Sequence, residues 1–168
     1  MVAPILRACS TALLAVAVLV GGGCGSKSDL GVAAGRYQLY VEGSLTDTLT
    51  GPAVLRPRRN GRLGIELGPR DGSGLSVELT TSPQTSRHYE VVGPRLLDGS
   101  QADSLLGFVA FLSVADAQFA ATRGRLSVAE VNAETIGGTV DVEMEKRGDG
   151  PPGERSVRVT GVLRATRP

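Results

Sequence analysis

Apolar and polar residues alternate with a period of two along most of the chain beyond residue 35. Successive side chains of a β-strand point to opposite faces of its sheet, so the alternation predicts strands with one face in a core and the other in water. A series of such short runs is typical of an all-β domain. The apolar members of the runs are Tyr37, Leu39 and Val41; Leu63, Ile65 and Leu67; Leu75, Val77 and Leu79; Tyr89 and Val91; Leu126 and Val128; Val140, Val142 and Met144; and Val157 and Val159.

Residues that favour turns separate these runs. Ranges 59–61, 69–74 and 82–84 are rich in Gly, Pro, Asn, Asp and Ser, which accept turn dihedrals. Range 145–155 is polar and contains several Pro and Gly residues, which predicts a solvated loop that joins the last two strands as a hairpin. We therefore expect an all-β fold, an antiparallel β-sandwich, with a closed antiparallel β-barrel as the alternative.

One stretch, residues 102–122, is compatible with two structures. It is rich in Ala and Leu, and Asp103 or Ser104 would cap a helix there. We favour two strands that turn near residues 115–117, because apolar residues keep the period of two on both sides of that point. The period-two positions are Phe108, Ala110 and Leu112, then Phe119 and Ala121.

The first 23 residues have the three-part layout of a secretory signal. Arg7 supplies a positive charge, residues 12–20 are apolar, and glycines at 21–23 follow directly before Cys24. The apolar stretch is much shorter than the roughly 20 residues that span a bilayer as a helix. We therefore expect residues 1–23 to be a cleaved export signal.

This segment resembles the signal of bacterial lipoproteins over residues 1–26, with Gly23 and Cys24 in the matching places and Gly21 where that family usually has an aliphatic residue. The resemblance implies that Cys24 is linked to diacylglycerol, becomes the first residue, and then often receives a further acyl chain such as palmitate. It also implies an exported protein, lipid-anchored to the cell envelope. Gly25 is not the Asp that retains such proteins at the inner membrane, which favours the outer membrane in a Gram-negative cell.

The region after the signal is similar to uncharacterised all-β bacterial lipoproteins. The match covers roughly residues 105–165 and consists of strand patterns at Gly124–Val128, Gly138–Val142 and Val157–Gly161. It implies an all-β fold and brings no known active site. We expect residues 24–34 to hold the lipidated cysteine and a flexible tether, and residues 35–168 to form one antiparallel β domain.

Cysteine content and charge exclude several classes of protein. Cys9 lies inside the signal, so Cys24 is the single thiol of the exported chain and no intrachain disulfide can form. The chain has 18 basic and 17 acidic residues, which gives no field for a polyanion. Aromatic residues make up 4% and Trp is absent, so the stacking platforms of nucleic-acid binding are not expected.

No catalytic or metal-binding pattern stands out. His88 is the single histidine and is expected to be a surface imidazole, and one His with one anchored Cys cannot form a tight zinc site. Asp141, Glu143 and Glu145 share the solvent face of one strand, where pairing with Arg158 across the hairpin is the simplest role. We therefore expect no catalysis, no metal and no cofactor.

The one dense charge run contains Arg56, Arg58, Arg59 and Arg62, which we call the arginine turn. It is expected at the tip of a hairpin, either solvated or in contact with anionic lipid headgroups. The expected partners are the membrane, through acylated Cys24, and an envelope protein or anionic headgroups. The predicted function is a lipid-anchored extracytoplasmic β-sandwich module with a structural or interaction role. The alternative is a lipocalin-like carrier of a small apolar ligand.

Overall fold

A computed structural model describes residues 30–58, 61–69, 73–93, 106–114, 116–148 and 155–168. The regular secondary structure in these ranges is β-strand, apart from a 3-10 turn that includes Gly61. Among the described residues, we find no helix long and apolar enough to cross a membrane. The strands are β1 (Arg36–Gly43), β2 (Asp47–Pro57), β3 (Leu63–Leu67), β4 (Gly74–Leu79), β5 (Arg87–Val91), β6 (Gly107–Val114), β7 (Ala117–Val131), β8 (Thr135–Lys146) and β9 (Ser156–Thr166).

The strands form one sheet that closes on itself, in the order β1-β2-β3-β4-β6-β5-β7-β8-β9 and back to β1. The closing contact is the antiparallel pairing of β1 with β9 over eight register positions, from Arg36 opposite Arg164 to Gly43 opposite Val157. Neighbours in the ring are antiparallel except β5 and β6, which run parallel. The predicted antiparallel all-β class is confirmed.

Strand β2 exchanges partners at Pro52. Residues 47–52 pair with β1, whereas residues 53–57 pair with β3. Proline has no backbone N–H to donate, so it is tolerated where one ladder stops and the next begins. Next to the first residue of β1, β2 also pairs directly with β9, with Val54 opposite Thr166. This strand was not identified from the sequence, because Gly51 and Pro52 interrupt its pattern.

The apolar side chains on the inner faces of the strands pack into one cluster. A side chain that lines a water-filled lumen stays accessible to water. Five inward-facing apolar side chains of this ring are instead only 0–2% exposed. The interior is therefore filled with apolar side chains, and continuous strand pairing joins all nine strands into one closed sheet rather than two separate ones. These five buried side chains are Leu39, Val41, Leu126, Val140 and Val159.

Strand direction assigns every connection except β5–β6 to one of two ends of the ring. The start of β1, the end of β9 and the connections β2–β3, β4–β5 and β7–β8 lie at one end, which we call the basal rim. The connections β1–β2, β3–β4, β6–β7 and β8–β9 lie at the opposite, distal end. The two ends therefore differ in which parts of the sequence they display.

Two predictions of local structure can be compared with the observed strands. The stretch 102–122 contains β6 and the start of β7 with Asp116 in the intervening turn, so the strand prediction is confirmed and the helix is wrong; residues 102–105 and Ala115 lie outside the described residues. Strand β8 continues to Lys146, so the predicted loop starts two residues later than expected, after strand pairing of β8 with β9 ends.

The predicted tether also needs one correction. A β-carbon built on Gly137 would lie 2.6 Å from Leu30 Cδ1, so Leu30 packs on the outer face of β8. Gly35 is tied to β9 and β2, because its N–H donates to Arg164 O at 2.7 Å and its carbonyl accepts from Ala53 N at 2.8 Å. Residues 30–35 therefore belong to the fold, and residues 24–29 lie outside the described residues.

We expect Leu126→Ala to lower the free energy of unfolding by about 2–5 kcal/mol, because it opens a cavity in a core position that is 0% exposed. The matched control is Leu106→Ala, at a position that is 46% exposed, where a change within about 0.5 kcal/mol is expected. Urea denaturation of both variants measures the difference. Equal losses would mean that Leu126 does not lie in a packed interior.

Candidate functional site

A polar groove of about 560 Å³ crosses the outer face of β5, β7, β8 and β9. It lies on the side wall of the ring, because the same strands direct their apolar side chains to the core. Its lining combines equal numbers of arginines and carboxylates with two hydroxyl groups. The lining residues are Glu90, Arg123, Gly124, Arg125, Ser127, Thr139, Asp141, Glu143 and Arg158.

Strand register places opposite charges next to each other across this polar groove. Arg125 Nε donates to Glu90 at 2.8 Å, and Arg123 Nε donates to Glu143 at 2.6 Å. Opposite charges on directly paired residues stabilise a sheet by roughly 0.2–1 kcal/mol per pair. Read across the strands, the charges alternate in two rows, with Glu90, Arg125 and Asp141 in one and Arg123, Glu143 and Arg158 in the next.

A bidentate ion pair joins β8 to β9. Arg158 donates from Nε and from an Nη to the two oxygens of Asp141, at 2.9 and 2.8 Å. This hydrogen bonding lowers the pKa of Asp141 below its ordinary value of 3.8, so the carboxylate is ionised at neutral pH. A general acid would need the opposite shift. The predicted pairing of this carboxylate face with Arg158 is confirmed at Asp141.

A β-bulge shapes the floor of the polar groove. The register of β7 against β8 shifts between Ala121 and Arg123, which leaves one extra residue on β7 and keeps Arg123 on the outer face. Gly124 follows with φ of 129°, and a β-carbon there would lie 2.3 Å from the Asp141 carbonyl oxygen. Only glycine allows this close approach of β7 to β8. The bulge was not visible in the sequence pattern.

His88 lies beside the polar groove and was expected to be a surface imidazole. It is exposed, and its Nδ1 is 2.9 Å from Ser127 Oγ on β7. A catalytic triad also needs a carboxylate that orients the imidazole. In the part of the chain that the structure describes, no carboxylate is hydrogen-bonded to His88. The pair is a cross-strand hydrogen bond between two polar side chains.

The carboxylates of the described residues do not gather into a metal centre. No group of three or more His, Cys, Asp or Glu side chains within the described ranges could hold a metal ion. The three carboxylates of the polar groove are each paired with an arginine, so a cation would have to displace a guanidinium to bind there. The polar groove is therefore a neutral ionic lattice.

The arginine turn lies at the basal rim, but its cations are not free. Arg56 Nε is 2.9 Å and an Nη of Arg58 is 3.2 Å from the two oxygens of Glu66 on β3. Arg58 lies flat on Gly64, where a β-carbon would be 2.6 Å from its Nε. Two guanidinium groups thus share one carboxylate, which leaves a local charge of about +1.

The remaining members of the arginine turn differ in their surroundings. Arg62 pairs with Glu78 at 3.4 Å, and its side chain is 14% exposed. The turn is closed by a hydrogen bond from Arg58 N to Arg62 O at 3.0 Å. Arg59 lies outside the described residues. Arg62 is therefore held against the sheet by a carboxylate on β4, whereas Arg56 and Arg58 are more exposed.

Comparisons with known proteins give no relative from which to transfer a site. No family model, no curated protein and no solved structure matches the chain. Cys24, the predicted lipidation site, lies outside the described residues. Its role therefore stays a prediction from the sequence.

Sequence reasoning missed Arg123, Arg125 and Glu90 as members of one charged lattice. The acidic strand of the lattice was recognised by its period-two spacing. The residues on β5 and β7 are distant from it in the sequence, by 20 positions for Arg123 and Glu143, and meet it only through strand order. Strand order is not encoded in local spacing, so no sequence signal was available to find them.

We expect Asp141→Asn to lower the free energy of unfolding at pH 7 by less than about 1 kcal/mol, because the side chain is 55% exposed. The folded-state pKa is lowered, so this stabilisation is present above the ordinary pKa of 3.8 and is lost as the pH falls below it. Denaturation at pH 7 and at about pH 2.5 measures it. The control is Glu145→Gln on the same strand face, which should show no such pH-dependent difference; an equal effect would contradict the specific pairing.

We expect Arg62→Ser to destabilise the fold by about 1–2 kcal/mol, because it removes a mostly buried side-chain stem and leaves Glu78 without its cation. Arg58→Ser is the matched control, since that side chain is 39% exposed and should change stability by no more than about 0.5 kcal/mol. Thermal denaturation of the two variants compares them. If Arg62→Ser is as mild as Arg58→Ser, the Arg62 pair has no structural role.

Proposed function

We propose that this chain is a lipid-anchored extracytoplasmic β module with a structural or interaction role and no catalysis. Cys24 would carry the acyl chains, in a cell envelope whose outer membrane is the favoured location if the cell is Gram-negative. The observation that carries the proposal is the signal-like segment that ends at Cys24 and is followed by a separate packed domain. Two acyl chains are enough for stable anchoring, whereas one gives marginal binding.

The short distance from Cys24 to the fold supports this proposal. Six peptide steps separate Cys24 from Leu30, which packs on Gly137. An extended chain covers at most about 3.6 Å per residue, so the domain would stand no more than about 22 Å from an acylated Cys24. The buried apolar side chains of the described ranges all lie between Tyr37 and Ala165, so loss of residues 1–23 removes none of them.

The packed core favours a module over a lipocalin-like carrier. A carrier needs an apolar cavity that can enclose its ligand. Leu39, Val140 and Val159 instead belong to one tightly packed interior and are 0–2% exposed. On the outside, the polar groove offers ionic pairs rather than an apolar lining. We therefore keep the module as the proposal and the carrier as its less favoured alternative.

The absence of catalysis is part of the same proposal. Its support is the electrostatics of the polar groove, where each carboxylate accepts from an arginine. The acid and base pairs of hydrolases work because their environments drive the two pKa values apart. In the polar groove, Arg158 lowers the pKa of Asp141, which is opposite to the raised pKa that a general acid needs.

We expect Cys24→Ala to remove the protein from the membrane fraction or to leave an unprocessed precursor, and to abolish metabolic labelling with palmitate. The matched control is Cys9→Ala, which alters the other cysteine inside the signal and should leave fractionation and labelling unchanged. Fractionation of cells that express each variant measures the outcome. A Cys24→Ala protein that is processed normally and stays in the membrane would refute the lipid anchor.

A further inference from the structure

We propose that the basal rim is a docking surface for anionic phospholipid headgroups, and that Arg36, Arg87 and Arg167 are its main contact cations. This inference rests on the proposed lipid anchor and adds an orientation: the ring would stand end-on, with its basal rim on the membrane. The distal end would then face away from the membrane, and the polar groove on the side wall would face along it. Fold topology gathers the three arginines, which are far apart in the sequence.

Hydrogen bonds hold the elements of the basal rim together. Arg167 N donates to Glu134 O at 3.0 Å, which joins the end of β9 to the β7–β8 turn. Ser86 Oγ donates to Ala129 O at 2.8 Å, and Ser82 Oγ donates to Gly61 O at 2.8 Å. The segment before β5 is thus tied both to β7 and to the arginine turn, so the rim presents its cations from a connected surface.

Charges at the basal rim are unevenly compensated. Arg36, Arg87 and Arg167 are exposed, and within the described ranges none of them forms an ion pair. Among the described residues of the connections at the basal rim, Glu134 carries the exposed carboxylate. Other rim cations are neutralised locally, as in the pair of Arg164 with Glu130 at 2.8 Å. The arginine turn adds about +1, because two of its guanidinium groups share a single carboxylate.

The distal end lacks this excess of positive charge. Its described basic residues are balanced by acidic residues of the strand ends and turns. The two ends of the ring therefore differ in net charge, and the basal rim is the more positive one. Anionic headgroups attract a basic residue near the surface by about 1 kcal/mol, an effect that fades within a Debye length of about 8 Å at physiological salt. The described distal charges are Glu42, Asp47, Asp116, Glu145, Lys146, Arg147 and Arg155.

The tether brings the correct end to the membrane. It joins the fold at Leu30 and Gly35, both at the start of β1 and therefore at the basal rim. At most about 22 Å of chain then separates an acylated Cys24 from this end. A short link raises the effective concentration of the rim at the headgroups, so even a weak electrostatic contact is occupied.

Arginine footprinting on vesicles tests this orientation without relying on lipidation in the cell. Cys24 is the single thiol of residues 24–168, so this chain can be coupled to a maleimide-bearing lipid. We expect phenylglyoxal to modify Arg36, Arg87 and Arg167 about five-fold more slowly on vesicles with equal parts phosphatidylglycerol and phosphatidylcholine than on pure phosphatidylcholine. Arg147 and Arg155 should react equally on both. Equal rates at the rim, or protection at the distal pair, would overturn the proposal.

A charge-matched pair of variants separates a rim contact from a general effect of net charge. In the uncoupled chain carrying Cys24→Ser, the triple change Arg36→Gln, Arg87→Gln and Arg167→Gln should weaken sedimentation with anionic vesicles by about 100-fold at about 0.01 M salt, from about five-fold per arginine. The control triple, Lys146→Gln, Arg147→Gln and Arg155→Gln, should have little effect. Equal losses from the two triples would refute the rim as a specific surface. Cell fractionation of Cys24→Ala tests the anchor separately.

Discussion

Closure of the sheet is the constraint on which the rest of the molecule depends. Every strand of the ring has a paired neighbour on each side, so the sheet has no free edge strand whose backbone N–H and C=O groups would all lack partners. The ring has nine strands, and an odd number cannot alternate in direction all the way round. One neighbouring pair must therefore be parallel, and here it is β5 with β6. The end of β5 lies beside the start of β6, where Glu90 pairs with Gly107 and Val91 pairs with Phe108.

Much of the fold could be predicted from spacing, because burial of one sheet face imposes a period of two. Ile65, Val77 and Val159 are each 0% exposed, as their alternation with polar or small neighbours indicated. The same rule failed at β2, where Gly51 and Pro52 interrupt the alternation at the exchange of partners. Strand order, closure and the bulges of β7 depend on contacts between distant residues, which local patterns do not record.

In the candidate sites too, features set by local spacing were predicted, whereas features set by contacts between distant strands were not. The acidic face of β8 was predicted from the spacing of Asp141 and Glu143, and its pairing with Arg158 is confirmed at Asp141. The arginine turn was located correctly in a hairpin, but Glu66 and Glu78, which neutralise much of its charge, come from strands whose pairing had to be seen. A dense run of like charges in a sequence is therefore a poor measure of the charge that a folded surface displays.

Charge on this molecule is organised by position on the ring. On the side wall, register places each cation beside an anion, and the polar groove is neutral despite its many ionised groups. At the basal rim, the residues paired with Arg36 are Pro52 and Arg164, and the residue paired with Arg87 is Val128, so strand register supplies no carboxylate. Arg167 lies beyond the end of β9, and all three arginines are exposed. Strand ends also receive the tether, which joins the fold at β1. A lipid anchor attached there would turn the uncompensated cations, rather than the neutral wall, toward the headgroups.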